Sequence, residues 1–132
     1  MEKEEILYKL AVFEKQIQQI QQQLQLIEQG LNDLNSLDNE IDNLRGKKDK
    51  EILAPVSSGI FVKAKLLSED LIVDVGGKNF VKKSIDETKE TIREQIKKLE
   101  EVKIQLTNSL DEINKEATEI LMKIEEDNSG IH

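Results

Sequence analysis

Ile52-Leu53-Ala54-Pro55-Val56-Ser57-Ser58-Gly59-Ile60-Phe61-Val62-Lys63-Ala64 holds two short apolar runs on either side of a Ser-Ser-Gly turn. β-Branched and aromatic residues fill both runs, and the turn residues are those a tight reversal needs, so the stretch reads as a β-hairpin. Leu71-Ile72-Val73-Asp74-Val75, Gly76-Gly77-Lys78-Asn79 and Phe80-Val81-Lys82-Lys83 repeat the pattern as a second hairpin. Ile60, Val62, Ala64 and Leu66 alternate with Phe61, Lys63 and Lys65, giving one apolar face and one that is half basic. Pro55 cannot donate to a ladder, so its strand is expected to be an edge or to carry a bulge.

Outward from the hairpins the period changes from two to three and a half. On the N-terminal side Ile6, Phe13, Ile20, Ile27, Leu34 and Ile41 fall seven residues apart, and Leu10, Ile17, Leu24 and Leu31 follow four residues behind. That is the seam of a supercoiled helix. The second column then meets Asp38 and Arg45, while Leu37 and Leu44 stand one residue early, so the seam slips near residue 37. On the C-terminal side Ser84-Ile85-Asp86-Glu87 forms a capping box. Behind it run Ile85, Ile92, Leu99, Leu106, Ile113 and Ile120, with Lys89, Ile96, Lys103, Leu110, Ala117 and Ile124 as companions. The two lysines are expected to snorkel or to fix register.

The spacing therefore predicts one α+β domain over residues 1–132. Its parts are a helix over 1–45, two hairpins (four short strands) over 51–83, a helix over 84–127 and a flexible tail over 128–132. Each arm would reach about 65 Å. Equal arms suit a long antiparallel two-helix coiled coil with the hairpins at one end and both chain ends at the other. Gly46 is expected to end the first helix, and Gly30 inside it should cost about 1 kcal/mol relative to alanine.

Charge follows the same borders. Residues 1–44 carry 9 acids and 3 bases, 45–83 carry 5 and 9, and 84–132 carry 13 and 7, for a net charge of −8. A net negative chain is a poor non-specific binder of nucleic acid or anionic membrane. There is no Cys or Trp, and the single His is the last residue, His132. That leaves no thiolate chemistry, disulfide frame or histidine site. No apolar run approaches a membrane span, and Met1-Glu2-Lys3-Glu4-Glu5 has no secretory character, so a cytoplasmic protein is expected.

Possible chemistry is thin. Gly76-Gly77-Lys78-Asn79 lacks the first Gly and the Ser/Thr of a phosphate loop, and reads as a turn. Asp38, Glu40 and Asp42 have calcium-loop spacing, but Asn43 stands where Gly is required and the helical seam runs through them. Ser57 and Ser58 have no partner base. The run of Gln16, Gln18, Gln19, Gln21, Gln22, Gln23, Gln25 and Gln29 suits a solvated helix face. No enzyme and no cofactor is expected.

Two apolar surpluses remain. The strands cannot close a core of their own, so Ile52, Val56, Ile60, Phe61, Val62, Leu66, Leu71, Val73, Val75 and Phe80 are expected to pair with other subunits. At the arm ends, Ile6, Leu7, Tyr8, Leu10 and Phe13, with Ile120, Leu121, Met122 and Ile124, offer an adaptable contact surface.

The hairpin text Ile52–Ala64 and Leu71–Gly77, framed by two long helices, resembles a prefoldin alpha-type subunit over residues 5–127. Two hairpins favour the alpha type over the beta type, which has one. Ser57-Ser58 departs from a turn that is richer in Gly in the family. The resemblance implies an ATP-independent holding chaperone in which two alpha-type and four beta-type subunits join their hairpins into a β-barrel base. The coiled-coil tips would then capture unfolded client proteins and pass them to a group II chaperonin. Two structural alternatives stand beside it: a filament-forming paralogue similar to gamma-prefoldin, and a coiled-coil scaffold for one specific helix.

Overall fold

The computed structural model describes residues 2–129; His132 and the other residues of the expected tail beyond Ser129 lie outside them. Two long helices bracket two small sheets. They are α1 (Lys3–Ile41), β1 (Glu51–Ser57), β2 (Ile60–Lys65), β3 (Leu71–Asp74), β4 (Phe80–Lys83) and α2 (Ile85–Ser129). The α+β architecture is the one the two periodicities predict. The chain divides into two compact units, one of residues up to Leu31 with those from Lys98 onward, the other of Asn32–Lys97.

In the Asn32–Lys97 unit, α-helical hydrogen bonding ends at Ile41 and tightens into a 3-10 turn over Asp42–Leu44. The chain then reverses at Gly46, whose φ of +72° is open to a residue without Cβ. β1 and β2 pair antiparallel, with Glu51 opposite Lys65, Leu53 opposite Lys63 and Pro55 opposite Phe61. The register shifts between Pro55 and Ser57, the bulge expected where proline cannot donate. Ser58 and Gly59 close this hairpin, both at positive φ, as a two-residue hairpin turn requires. β3 and β4 pair from Leu71 opposite Lys83 to Asp74 opposite Phe80. Their turn is held by the Gly76 amide donating to Asp74 Oδ1 at 2.9 Å, an Asx-turn and not a phosphate cradle.

The start of α2 carries the predicted capping box. The Glu87 amide donates to Ser84 Oγ at 3.1 Å, and the Ser84 amide donates to Glu87 Oε1 at 3.4 Å. Ile41, Ile85 and Ile92 form the buried centre of this unit, packed by Leu34, Leu44, Ile96 and, from β3, Leu71. Leu71 ties the second hairpin to the helices by apolar contact.

In the other unit α1 and α2 run antiparallel. The face of Gly30 lies against Leu99, whose Cδ1 would be 3.5 Å from an added Cβ. Two residues before Gly30, Glu28 pairs with Lys103, which stands one turn beyond Leu99 on α2. Seam residues such as Leu24, Ile27, Leu106 and Leu110 are half-buried, as a two-helix seam allows, and Ile6 and Leu31 are buried.

Candidate functional site

Two surfaces carry the apolar residues singled out by the sequence. In the unit formed by the N-terminal part of α1 and the C-terminal part of α2, Tyr8, Val12, Phe13 and Ile120 line one groove of about 380 Å³. Lys9, Glu116, Glu119 and Lys123 form its charged rim. Tyr8 (72% exposed) lies open to solvent, whereas Phe13 and Ile120 are half-buried seam residues at its floor. The structure thus brings Tyr8, Phe13 and Ile120 together. Leu7, Leu121 and Met122 are exposed beyond the groove walls, Leu10 and Ile124 are half-buried in the seam, and Ile6 is buried. Val12 stands beside the seam in the sequence as part of the same apolar surplus, and the charged rim is an addition to the predicted residues. The signal for Val12 is helical spacing: Tyr8, Val12 and Phe13 share a face at i, i+4 and i+5.

The hairpins present the second surface. Val56, Ile60, Phe61, Val62, Val75 and Phe80 are exposed, and Ile52, Leu66, Leu71 and Val73 are half-buried. Register sorts them by face, because directly opposed residues point the same way. On the first hairpin Ile52, Ala54, Val62 and Ala64 share one face, and Leu53, Pro55, Phe61, Lys63 and Lys65 the other. On the second, Leu71, Val73 and Val81 share the face that reaches the core, and Ile72, Phe80 and Lys82 the opposite one. Leu53 and Ile72 (71% exposed) escaped the sequence reading because alternation assigns a strand only one apolar face. Each sheet has two strands, so every strand also leaves one edge unpaired.

Between the exit from α1 and the entry to α2 lies a cluster of charges. Lys89, only 8% exposed, donates from Nζ to the Asp38 carbonyl at 3.0 Å and pairs with the Asp42 carboxylate. Arg93 Nε stands 3.6 Å from Asp38 Oδ2. Arg45 forks between Asp42 Oδ1 at 2.9 Å and Asp86 Oδ1 at 2.5 Å. The hydrogen bonds from Lys89 and then Arg45 hold the Asp42 carboxyl below its usual value, and the two carboxylates raise Arg45. A groove of about 670 Å³ runs beside these groups, lined by Arg45, Asp86, Lys89, Glu90, Arg93, Glu94 and Lys97. Cations and carboxylates alternate along it, which gives it no net preference for an anion or a cation. Among the described residues no cluster of His, Cys, Asp or Glu could hold a metal ion, and no helix is long and apolar enough to cross a membrane.

The model of the prefoldin subunit family matches residues 13–129, nearly the whole described chain. The chain belongs to the prefoldin family. Within it the similarity is to the alpha type. A prefoldin subunit alpha of Methanobrevibacter smithii is 37% identical over 98 residues, 74% of this chain and 67% of that one. One from Methanosphaera stadtmanae is 29% identical over 68% of this chain and 65% of its own length. One from Pyrococcus horikoshii is 27% identical over 95% of this chain and 86% of its own. The matched stretch thus spans about two thirds of the first two relatives. The cryo-EM structure of filamentous PFD from Methanocaldococcus jannaschii superposes with a TM-score of 0.78 at 19% identity, covering 88% of this chain and 98% of that one. That likeness establishes the prefoldin fold: two long helices with two hairpins. Family membership makes this a chaperone-type subunit.

Proposed function

We propose that this prefoldin subunit is part of an ATP-independent holdase. It assembles through its hairpins with beta-type subunits, two alpha to four beta, in the cytoplasm. It captures unfolded proteins at the ends of its helices and releases them to a group II chaperonin. The groove of Tyr8, Val12, Phe13 and Ile120 carries this reading, because it puts an exposed aromatic and aliphatic floor inside a charged rim. Such a surface accepts varied apolar segments weakly, and several copies around one cavity give avidity without a tight site. Leu7, Leu121 and Met122, exposed on the same helix ends, enlarge the apolar area available to a client. Holding by mass action needs no nucleotide, and the Gly76-Gly77 turn is occupied by its own Asp74.

The test is light scattering of a chemically unfolded, unrelated enzyme diluted into the full chain with a beta-type subunit and no ATP. Aggregation is expected to be suppressed, and the suppression to be lost when residues 1–12 and 118–132 are removed. Suppression that survives this trimming would overturn the assignment of the grip, and no suppression in any assembly would overturn the holdase.

A second reading, a filament-forming structural prefoldin, is supported by the two-faced hairpins. Joining the strands into a closed barrel uses one face of each hairpin and can leave Leu53 and Phe61 of the first hairpin for further stacking. Electron microscopy of the isolated chain separates filaments from closed particles.

A further inference from the structure

The polar groups at the root of the hairpins join three segments that are far apart in sequence. Asp38 and Asp42 close α1, and Asp86, Lys89 and Arg93 open α2. Arg45, in the turn that leads to the first hairpin, bridges the two helix ends through Asp42 and Asp86. The next residue, Gly46, donates its amide to Glu69 Oε1 at 2.7 Å, and Glu69 sits in the loop between β2 and β3. The turn that leads into the first hairpin and the loop between the two hairpins are therefore tied to the same polar centre. The apolar core reaches only the second hairpin, through Leu71. The first closes its own base with backbone bonds, Asp49 amide to Leu66 carbonyl at 2.7 Å and Leu66 amide to Lys50 carbonyl at 3.1 Å, which extend its ladder without reaching the helices.

We propose that Arg45, through its ion pairs, and Glu69, through the Gly46 amide, are positioning residues of a polar hub that sets the bearing of the two hairpins and so prepares them for assembly. The proposal rests on the reading of the hairpins as the assembly surface. Arg45 and its partners Asp42 and Asp86 are substantially exposed, so their ion pairs add little to the stability of the helices. Their effect lies elsewhere. A hairpin free to swing must lose that freedom when it docks, and an anchored one has already lost it. Planar geometry matters too: the guanidinium of Arg45 reaches two carboxylates at once, which a lysine ammonium does not reproduce.

The experiment compares the full chain with Arg45→Met/Glu69→Ala, Arg45→Lys and the hairpin-face variant Ile72→Lys. Each is mixed with a beta-type prefoldin subunit and followed by sedimentation velocity over a concentration series, with thermal melting of helicity in parallel. The double variant is expected to need at least about tenfold more protein to assemble, with melting unchanged, and Arg45→Lys to fall between it and the parent. Faster amide exchange at Asp49 and Leu66 in the unassembled double variant is expected as well. Assembly equal to the parent's, or weakened assembly matched by a proportional loss of melting temperature, would overturn the hub. Failure of the parent to assemble, or indifference of assembly to Ile72→Lys, would instead overturn the assembly surface itself.

Discussion

Asp38 and Lys89 each stand where a seam, that of α1 or that of α2, lacks an apolar residue, and they meet each other. Lys89 Nζ lies 3.0 Å from the Asp38 carbonyl oxygen and 3.8 Å from its Oδ1, an atom buried without a hydrogen-bond partner. A slip of one heptad would set Arg45 against Lys89 in one direction and Leu31 in the other. The slip to Leu31 also puts Asn35 in the place of Asp42 and leaves the buried ammonium without a carboxylate, and the slip to Arg45 sets two cations together. The pair therefore specifies register more than it stabilises. Lys89→Met is expected to cost about 3 kcal/mol, because half-buried Asp38 then keeps only Arg93, 3.6 Å from Oδ2, and its buried Oδ1 loses the ammonium beside it. Asp38→Leu with Lys89→Leu restores the seam and is expected to be neutral or stabilising by about 1–3 kcal/mol. Denaturant unfolding of the single and double variants checks the sign.

Acid should act on the same cluster. The Asp42 carboxyl is held below its usual value of 3.8 by Lys89 and Arg45. A carboxylate whose folded pKa is depressed contributes stability above its unfolded pKa and loses it as pH falls through the folded one. Stability from Asp42 is thus complete above about pH 5 and declines below about pH 4. Melting temperatures recorded from pH 7 down to pH 2 are expected to fall more steeply for the parent than for Asp42→Asn in that lower window.

Gly30 offers a gain. It lies within α1, its conformation is helical, and an added Cβ would meet Leu99 Cδ1 at 3.5 Å, an ordinary contact. Gly30→Ala is expected to stabilise the helix pair by about 1 kcal/mol. Thermal unfolding measures it directly.

At the ends of the helices, neighbouring residues should separate grip from stability. Tyr8 is exposed and Ile6 is buried, two positions apart. Tyr8→Ser is expected to weaken suppression of client aggregation while leaving the melting temperature unchanged. Ile6→Ala is expected to destabilise by about 2 kcal/mol, as a partial cavity in a two-helix seam does. Light scattering and calorimetry on the same two variants show whether the effects divide this way.

Much of this architecture is written locally. The step from a period of two to a period of seven, the Ser84–Glu87 box and the bulge at Pro55 each follow from short stretches of sequence, because each depends on neighbours a few residues away. The charge hub does not. Lys89 reads from sequence as a residue that snorkels or fixes register, but its partners Asp38, on α1, and Asp42, in the turn after it, lie some fifty residues off, where helical spacing alone cannot reveal them. Leu53 and Ile72 were hidden for a different reason: alternation marks one buried face per strand, and these hairpins carry apolar side chains on both. The groove at the helix ends was half legible. Phe13 and Ile120 belong to the seam, and Lys9 and Val12 flank Tyr8 on its own helix, but Glu116, Glu119 and Lys123 become neighbours of Tyr8 only when two helices are placed side by side.

The unpaired strand edges have a consequence for supply. An edge with free amides and carbonyls, flanked by apolar side chains on both faces, will recruit whatever strand it meets first. A copy synthesised beyond the number of its intended companions is therefore an aggregation hazard of the kind a holding chaperone exists to suppress. For this chain, balanced production is a physical requirement, and an orphan copy displays the same features by which damaged proteins are recognised and destroyed.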